Sequence, residues 1–264
     1  MASNKWFAML GKWLKREFQL FFIAVSFLTT LPVPPTPFIV GGLGKSARWF
    51  TLVGAIIGGL VFALNRLLIV QVDSWVVAIL AVGLWVWLTG GLHLDGFADC
   101  CDGLIASVSA ERRLAIMKDP TVGTFAALGL ILLLALKIAL VHALLPAAPS
   151  SWLPIMTATI IARWLILPVA LQPPAREGGM GAEFALTLTW DVVLVAAIAP
   201  MILLAYGGLA AIIAIAAAHL VIVWLISVVR KRIGGVTGDV FGLTVEVAEI
   251  VILLAFVLAI SFGV

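Results

Sequence analysis

Residues 74–103 read SWVVAILAVGLWVWLTGGLHLDGFADCCDG, an apolar run that ends abruptly in three aspartates, Asp95, Asp99 and Asp102. A bilayer core of about 30 Å takes about 20 helical residues to cross, and the stretch 75–93 fills that length. A spanning helix here brings its C-terminal end, and the acids behind it, to a membrane face.

The rest of the chain has the same character. Of its 264 residues, 64% are apolar and 11% are charged, against roughly 25% charged in soluble domains. Runs of spanning length recur at 48–70, 75–93, 122–145, 152–171, 190–206, 208–229 and 243–263. The segment FFIAVSFLTTLPVPPTPF at 21–38 is too short, and its prolines stop any helix near Leu31; it reads as a re-entrant or interfacial piece. Ahead of it, residues 1–17 interleave Lys and Arg with Trp and Phe and lack a small-residue cleavage site. That pattern predicts an amphipathic arm on the membrane surface rather than a signal peptide. The fold class that follows is an all-α polytopic membrane protein of about seven spans. One integral membrane domain over 1–264 is expected, with no tandem repeat and no soluble second domain.

The connections are of two kinds. Those at 71–73, 146–151 and 206–208 are short and carry no Lys or Arg; those at 94–121, 172–189 and 230–242, with the N-terminal arm, hold most of the basic residues. Seven spans alternate the two kinds, so the positive-inside rule puts the basic set in the cytoplasm. Tryptophans near span ends (Trp49, Trp75, Trp152, Trp190) read as interfacial belts, and nothing points to nucleic acid. Cys100 and Cys101 are adjacent, which disfavours an ordinary disulfide between them, and no Cys/His set has zinc spacing.

Asp95, Asp99 and Asp102 fall at i, i+4 and i+7, one face of a helix if it continues through Gly96. Three like charges beside a membrane repel, and a hard divalent cation such as Mg²⁺ relieves that repulsion; a solvated loop with incidental acids is the plainer alternative. A second stripe, Asp239, Glu246 and Glu249, shares a face with Gly242 inside the last span. It reads either as part of the same polar cavity with a second metal, or as glutamates at the interface or paired with Arg66 or Arg163. On the same predicted side, Asp119 precedes Gly123-Thr124 at the opening of a span, where free N–H groups can hold a phosphate. Arg176 stands beside Gly178-Gly179, suited to a phosphate contact or a mobile lid. His93 is a catalytic or a structural histidine; His142 and His219 read as packing residues. GGLGKS at 41–46 is not a phosphate loop, because Ile39 stands where the first glycine is required.

GGLHLDGFADCCDG, MKDPTVGTFAAL, AREGGMG and GGVTGDVFGLTVEVAEI, in this order, resemble the cobalamin synthase family over about residues 20–260. The resemblance implies an Mg²⁺-dependent integral enzyme of the bacterial inner membrane. Such an enzyme joins adenosylcobinamide-GDP to α-ribazole, or its 5′-phosphate, and releases GMP. Other enzymes of the cobalamin pathway are then candidate partners. Carried over by position, the family's motifs fall on His93, Asp95, Asp99 and Asp102; on Asp119, Gly123 and Thr124; on Arg176, Gly178 and Gly179; and on Gly238, Asp239, Glu246 and Glu249. Catalysis is expected of Asp95, Asp99, Asp102, His93 and Glu246. Metal binding is expected of Asp95, Asp99, Asp102, Asp239, Glu246 and Glu249, with Asp95 or Asp102 as proton acceptor. The remaining positions, Asp119, Gly123, Thr124, Arg176, Gly178, Gly179 and Gly238, are expected to bind phosphate. Phe97 stands where leucine is common, and Cys100 where threonine is expected, which argues against an essential thiol. A CDP-alcohol phosphotransferase fits less well, since Ile105-Ala106-Ser107 replaces the Ala-Arg pair its motif needs after Gly103. A cation-coupled transporter lacks its expected inverted repeat.

The charge asymmetry predicts that a cysteine placed at position 110 of a Cys-free variant is labelled by an impermeant reagent only after cells are opened. Positions 72 and 207 should label from outside intact cells. External labelling at 110 contradicts the arrangement.

Overall fold

The structure is a computed structural model, and it describes residues 2–145 and 152–263. Among these residues the chain is helical, with no strand beyond one isolated bridge. In order, α1 is Ala2–Leu28, α2 Gly42–Ser46, α3 Phe50–Leu68, α4 Ser74–Thr89, α5 Leu92–Ile105, α6 Ala110–Ile116 and α7 Thr124–Leu144. They are followed by α8 Trp152–Ala170, α9 Met180–Thr187, α10 Trp190–Ala196, α11 Ile198–Tyr206, α12 Gly208–Ile233 and α13 Gly238–Ser261. Five stretches are long and apolar enough to cross a membrane alone: Gly42–Leu68, α7, α8, α12 and α13. Two bent pairs, α4 with α5 and α9 with α10 and α11, raise the number to seven if each is one crossing. The expected connection at 146–151 lies outside the described residues.

α8 and α13 form the middle of the bundle. α8 packs on α3 and α13, while α13 also meets α5, α7 and α12. Lipid offers no hydrophobic drive for helices to associate, so close backbone approach at small residues has to supply it. On α3, Gly54 and Gly58 both face Thr159 of α8, and a Cβ on either would lie 2.5 Å from that residue. The α5–α13 crossing is as tight. A Cβ on Gly96 would lie 2.8 Å from the Asp239 carbonyl oxygen, and one on Gly242 would lie 2.6 Å from that of His93.

Three expectations need correction. First, the acidic stretch does not prolong its span. Asp73 caps the start of α4, accepting from the Trp75 N–H at 2.9 Å. The helix then stops at Gly90 and Gly91, whose φ of 60° and 70° suit glycine alone. The chain turns by 91° into α5, which is not among the five stretches that could cross alone and which lies across the N-terminal ends of α7 and α13. Second, the arm and the apolar segment after it are one continuous helix, α1, packed mainly against α2 and α3. Thr29 ends that helix by donating to the Val25 carbonyl at 2.7 Å and accepting from the Leu31 N–H at 3.2 Å. The proline stretch is then tied to α4 through the Thr30 N–H and the Leu88 carbonyl, 2.8 Å apart. Third, the span expected at 190–206 is divided at Ala197. Pro200 lacks an N–H and crowds the carbonyl four residues back, that of Ala196, the last residue of α10.

The 173–175 loop is stapled to the turn before α13. Ala175 N–H donates to the Val236 carbonyl and Val236 N–H to the Pro173 carbonyl, each at 2.9 Å. Arg113 and Arg232 both donate to the Leu104 carbonyl at the end of α5. The three basic connections thus meet on one side of the bundle.

The α5–α13 crossing predicts a sharp contrast between two glycines. Gly242→Ala should lower the melting temperature in detergent by the equivalent of about 1–3 kcal/mol, the usual cost of overpacking. Gly59→Ala, in a helix with open space around it, should leave it unchanged or raise it. Equal melting temperatures would show that the crossing is not close-packed.

Candidate active site

A cavity of about 270 Å³ opens where α5, the 174–179 loop, α9 and the start of α13 meet. Seven of the residues singled out from the sequence line it: His93, Asp95, Arg176, Gly178, Gly179, Gly238 and Asp239. They come from three stretches far apart in the chain, and the Pro174–Val236 bridge and the Gly96–Asp239 approach hold those stretches together.

The charges here are out of balance. Arg176 Nη2 lies 3.5 Å from Asp239 Oδ2, and the Thr237 hydroxyl donates to the same oxygen at 3.0 Å. Asp95, exposed at the mouth, has no ion pair among the described residues. Asp99, one turn further along α5, is half-buried. Partial burial, then the carboxylates of Asp239, Asp95 and Asp102, push its pKa up to about 6. Asp95 and Asp239 thus line the cavity with one guanidinium, and Asp99, which does not line it, adds a third carboxylate nearby.

Two helices also start at this place. α9 begins after Gly179, and no side chain caps it. Thr237, the residue preceding α13, spends its hydroxyl on Asp239 and caps nothing. The two ends nearly touch, since a Cβ on Gly181 would lie 2.7 Å from the Gly238 nitrogen. Free N–H groups at two positive helix ends, with Arg176 beside them, make a bed for a phosphate group.

Several expected site residues stand elsewhere. Asp102 does not face the cavity; its two oxygens accept from the Gly123 and Ala126 N–H groups at 2.7 and 2.9 Å. It caps α7, so the helix end expected to take a phosphate at Gly123 and Thr124 is filled by the chain's own carboxylate. Asp119 is exposed and accepts from the Thr121 hydroxyl and N–H at 2.6 and 3.0 Å, bonds that hold its pKa below the usual value. Its side chain serves a turn.

Glu246 and Glu249, expected to continue the metal stripe, lie off this cavity in a buried charge cluster of their own. Both are buried and engaged by cations that sequence reasoning gave them only in part. Lys137 of α7 donates to Glu246 Oε2 at 2.5 Å and to Glu249 Oε2 at 2.6 Å, and Arg163 of α8 donates to Glu249 Oε1. Two carboxylates meet two cations, and no charge is left for a metal to neutralise. Arg66, the other expected partner, is exposed on α3. Lys137 was missed altogether, although a lysine inside ILLLALKIALVHAL signals a buried cation in need of an anion. The Trp85 ring, 5.0 Å away, adds a cation–π contact. His93 lines the cavity and is buried, with no hydrogen-bond partner at Nε2 among the described residues. Both cysteines are free thiols.

Among the described residues no three His, Cys, Asp or Glu side chains close into a compact cage. Mg²⁺ does not require one, since it keeps several waters and binds through one or two carboxylates together with substrate phosphates. The unbalanced carboxylates beside a phosphate bed fit that mode of binding.

A family model described as Cobalamin-5-phosphate synthase matches residues 20–257. An adenosylcobinamide-GDP ribazoletransferase of Deinococcus radiodurans is 38% identical over 241 residues, covering 90% of this chain and 86% of its own length. Enzymes of the same name from Ectopseudomonas mendocina and Acinetobacter baumannii are 39% and 36% identical, each covering 90% of this chain and 98% and 97% of their own. No solved structure matches.

The charge quartet predicts that Lys137→Met destabilises the protein by about 3–5 kcal/mol, because it strands buried carboxylates. Glu246→Gln should lower the melting temperature yet leave the Mg²⁺ dependence of the folded fraction unchanged. A raised Mg²⁺ requirement in Glu246→Gln would return that residue to the metal site.

Proposed function

The chain belongs to the cobalamin-5-phosphate synthase family, and from that premise we propose that it is a membrane-bound adenosylcobinamide-GDP ribazoletransferase. In this reading a ribose hydroxyl of α-ribazole, or of its 5′-phosphate, attacks the phosphorus next to the cobinamide aminopropanol. The new O–P bond forms as the diphosphate P–O bond breaks, and the products are GMP and adenosylcobalamin or its 5′-phosphate. The observation that carries the reading is the meeting of Asp95, Asp239, Arg176 and two uncapped helix ends in one cavity.

Phosphoryl transfer of this kind depends on positioning and charge neutralisation more than on covalent chemistry. Mg²⁺ held by Asp95 and Asp239, with the Asp99 carboxylate adding negative charge beside them, would supply neutralisation of the diphosphate and of the departing phosphate. Arg176 and the N–H groups at the starts of α9 and α13 hold the phosphate that leaves with the nucleotide. Asp95, which no cation of the chain engages among the described residues, accepts the hydroxyl proton through an oxygen not taken by Mg²⁺. Asp102 acts at a distance, by fixing α7 against α5. The basic connections on the cavity side support placing the site at the cytoplasmic face of the bacterial inner membrane.

The test is purified protein with adenosylcobinamide-GDP, α-ribazole and Mg²⁺, scored for GMP and the joined corrinoid. Asn at Asp95, Asp99 or Asp239 should lower kcat by about 10²-fold or more. Glu111→Ala, on the exposed face of α6, should be nearly silent. Asp102→Ala should show first in melting temperature, by the ~1 kcal/mol typical of a lost cap. No GMP from folded, Mg²⁺-supplied protein would overturn the proposal.

A further inference from the structure

The cavity cannot enclose both substrates. At about 270 Å³ it falls just short of the roughly 300–1,000 Å³ that hold a drug-sized ligand, and a corrin macrocycle is bulkier than such a ligand. One flat heterocycle with part of a sugar is what it can take in.

Its lining is divided to match. Asp239 and Phe241 are two residues apart on α13, so their side chains leave the helix about 200° apart. Asp239 lies on the side of α5. Phe241 packs edge-on against Phe184 of α9, with ring centroids 5.8 Å apart. Phe184 stacks on Phe50 at 5.7 Å, and Phe50 stacks on Phe27 at 5.8 Å. Phe27 and Phe241 both line the cavity, joined by Ile166 of α8, while Phe50 and Phe184 are wholly buried behind them. The two lining rings are thus held from behind by two others. Nothing in binding a phosphate or a divalent cation calls for such a wall.

We infer that this wall seats the aromatic base of the nucleoside acceptor, packed against Phe27 and Phe241 with its ribose turned toward Asp95 and Asp239. The corrinoid stays outside, and only its diphosphate arm enters, at Arg176 and the glycine turn. The inference rests on the transfer reaction proposed above, because that reaction supplies an acceptor with an aromatic base. A rigid apolar face rewards a flat ring through stacking and burial and is indifferent to the phosphate end, so the two substrates should respond to different residues.

Two measurements on the full chain in detergent test it: calorimetric titration with α-ribazole alone, which needs no turnover, and steady-state kinetics with each substrate varied. Phe27→Ala and Phe241→Ala should weaken α-ribazole binding and raise its KM by about tenfold or more, as loss of a base-stacking ring does. The KM for adenosylcobinamide-GDP should stay near that of the unaltered protein. Phe27→Leu keeps apolar bulk and the melting temperature but removes the flat face, and it should show the same selective loss to a smaller degree. Unchanged α-ribazole affinity in folded variants, or a rise confined to the corrinoid KM, would overturn the inference. Binding of α-ribazole that Phe27→Leu weakens, with no GMP from the unaltered protein, would support the base seat and overturn the transfer reaction instead.

Discussion

Glu249 is fully enclosed within a membrane-crossing helix, held by Lys137 from α7 and Arg163 from α8. An isolated carboxylate in that setting is too costly to keep, so the pairing compels three spans to meet at one level. It also sets the rotation of α13. Glu249, Glu246, Gly242 and Asp239 recur along one face of that helix. Once the two glutamates are engaged by Lys137 and Arg163, Gly242 lies beneath His93 and Asp239 reaches the cavity. The close glycine crossing of α5 on α13 depends on that rotation, and so does the position of Asp95 opposite Asp239.

One helix therefore serves two electrostatic regimes. Within the bundle, carboxylates and cations match in number and are sealed from solvent. At the end of the same helix, carboxylates outnumber their one guanidinium, and two helix N-termini lie open beside them. The first regime is closed to a ligand by its own balance. The second leaves carboxylates and helix ends available to a ligand, as the proposed transfer from a diphosphate with a divalent cation requires.

Much of this was legible in the sequence, in particular places. Run length located the spans, and acids at the edges of apolar runs located Asp95 and Asp239. Basic loops correctly grouped the connections that meet at the cavity. Helical periodicity could not distinguish Asp102 from Asp95, since both lie on one stripe of α5; what differs is that the start of α7 arrives at Asp102 and takes its oxygens. The same limit applies to Glu246 and Glu249, which share a stripe with Asp239 but sit deeper, at the level of Lys137. That lysine was the readable sign, because an intramembrane cation and two intramembrane anions are each costly alone. Gly90-Gly91 was a second sign, a doublet able to turn the chain where a continuous helix was expected. The union of the arm with the apolar segment into α1 had no comparable signal, because no breaker separates residues 17 and 21 and only tertiary packing decides whether the helix runs on.

The proposed reaction puts the divalent cation at the α5–α13 crossing, above the buried charge quartet and not within it. Replacing Mg²⁺ by Fe²⁺ and adding ascorbate and peroxide cuts backbone close to the bound ion, and peptide mapping locates the cuts. An ion at that crossing gives cleavage within 93–99, near 176–181 and within 237–242, suppressed by excess Mg²⁺ and sharpened by a nucleoside diphosphate. Mg²⁺-sensitive cleavage centred on 246–249 or on Lys137, with none around Asp95 and Asp239, would contradict it.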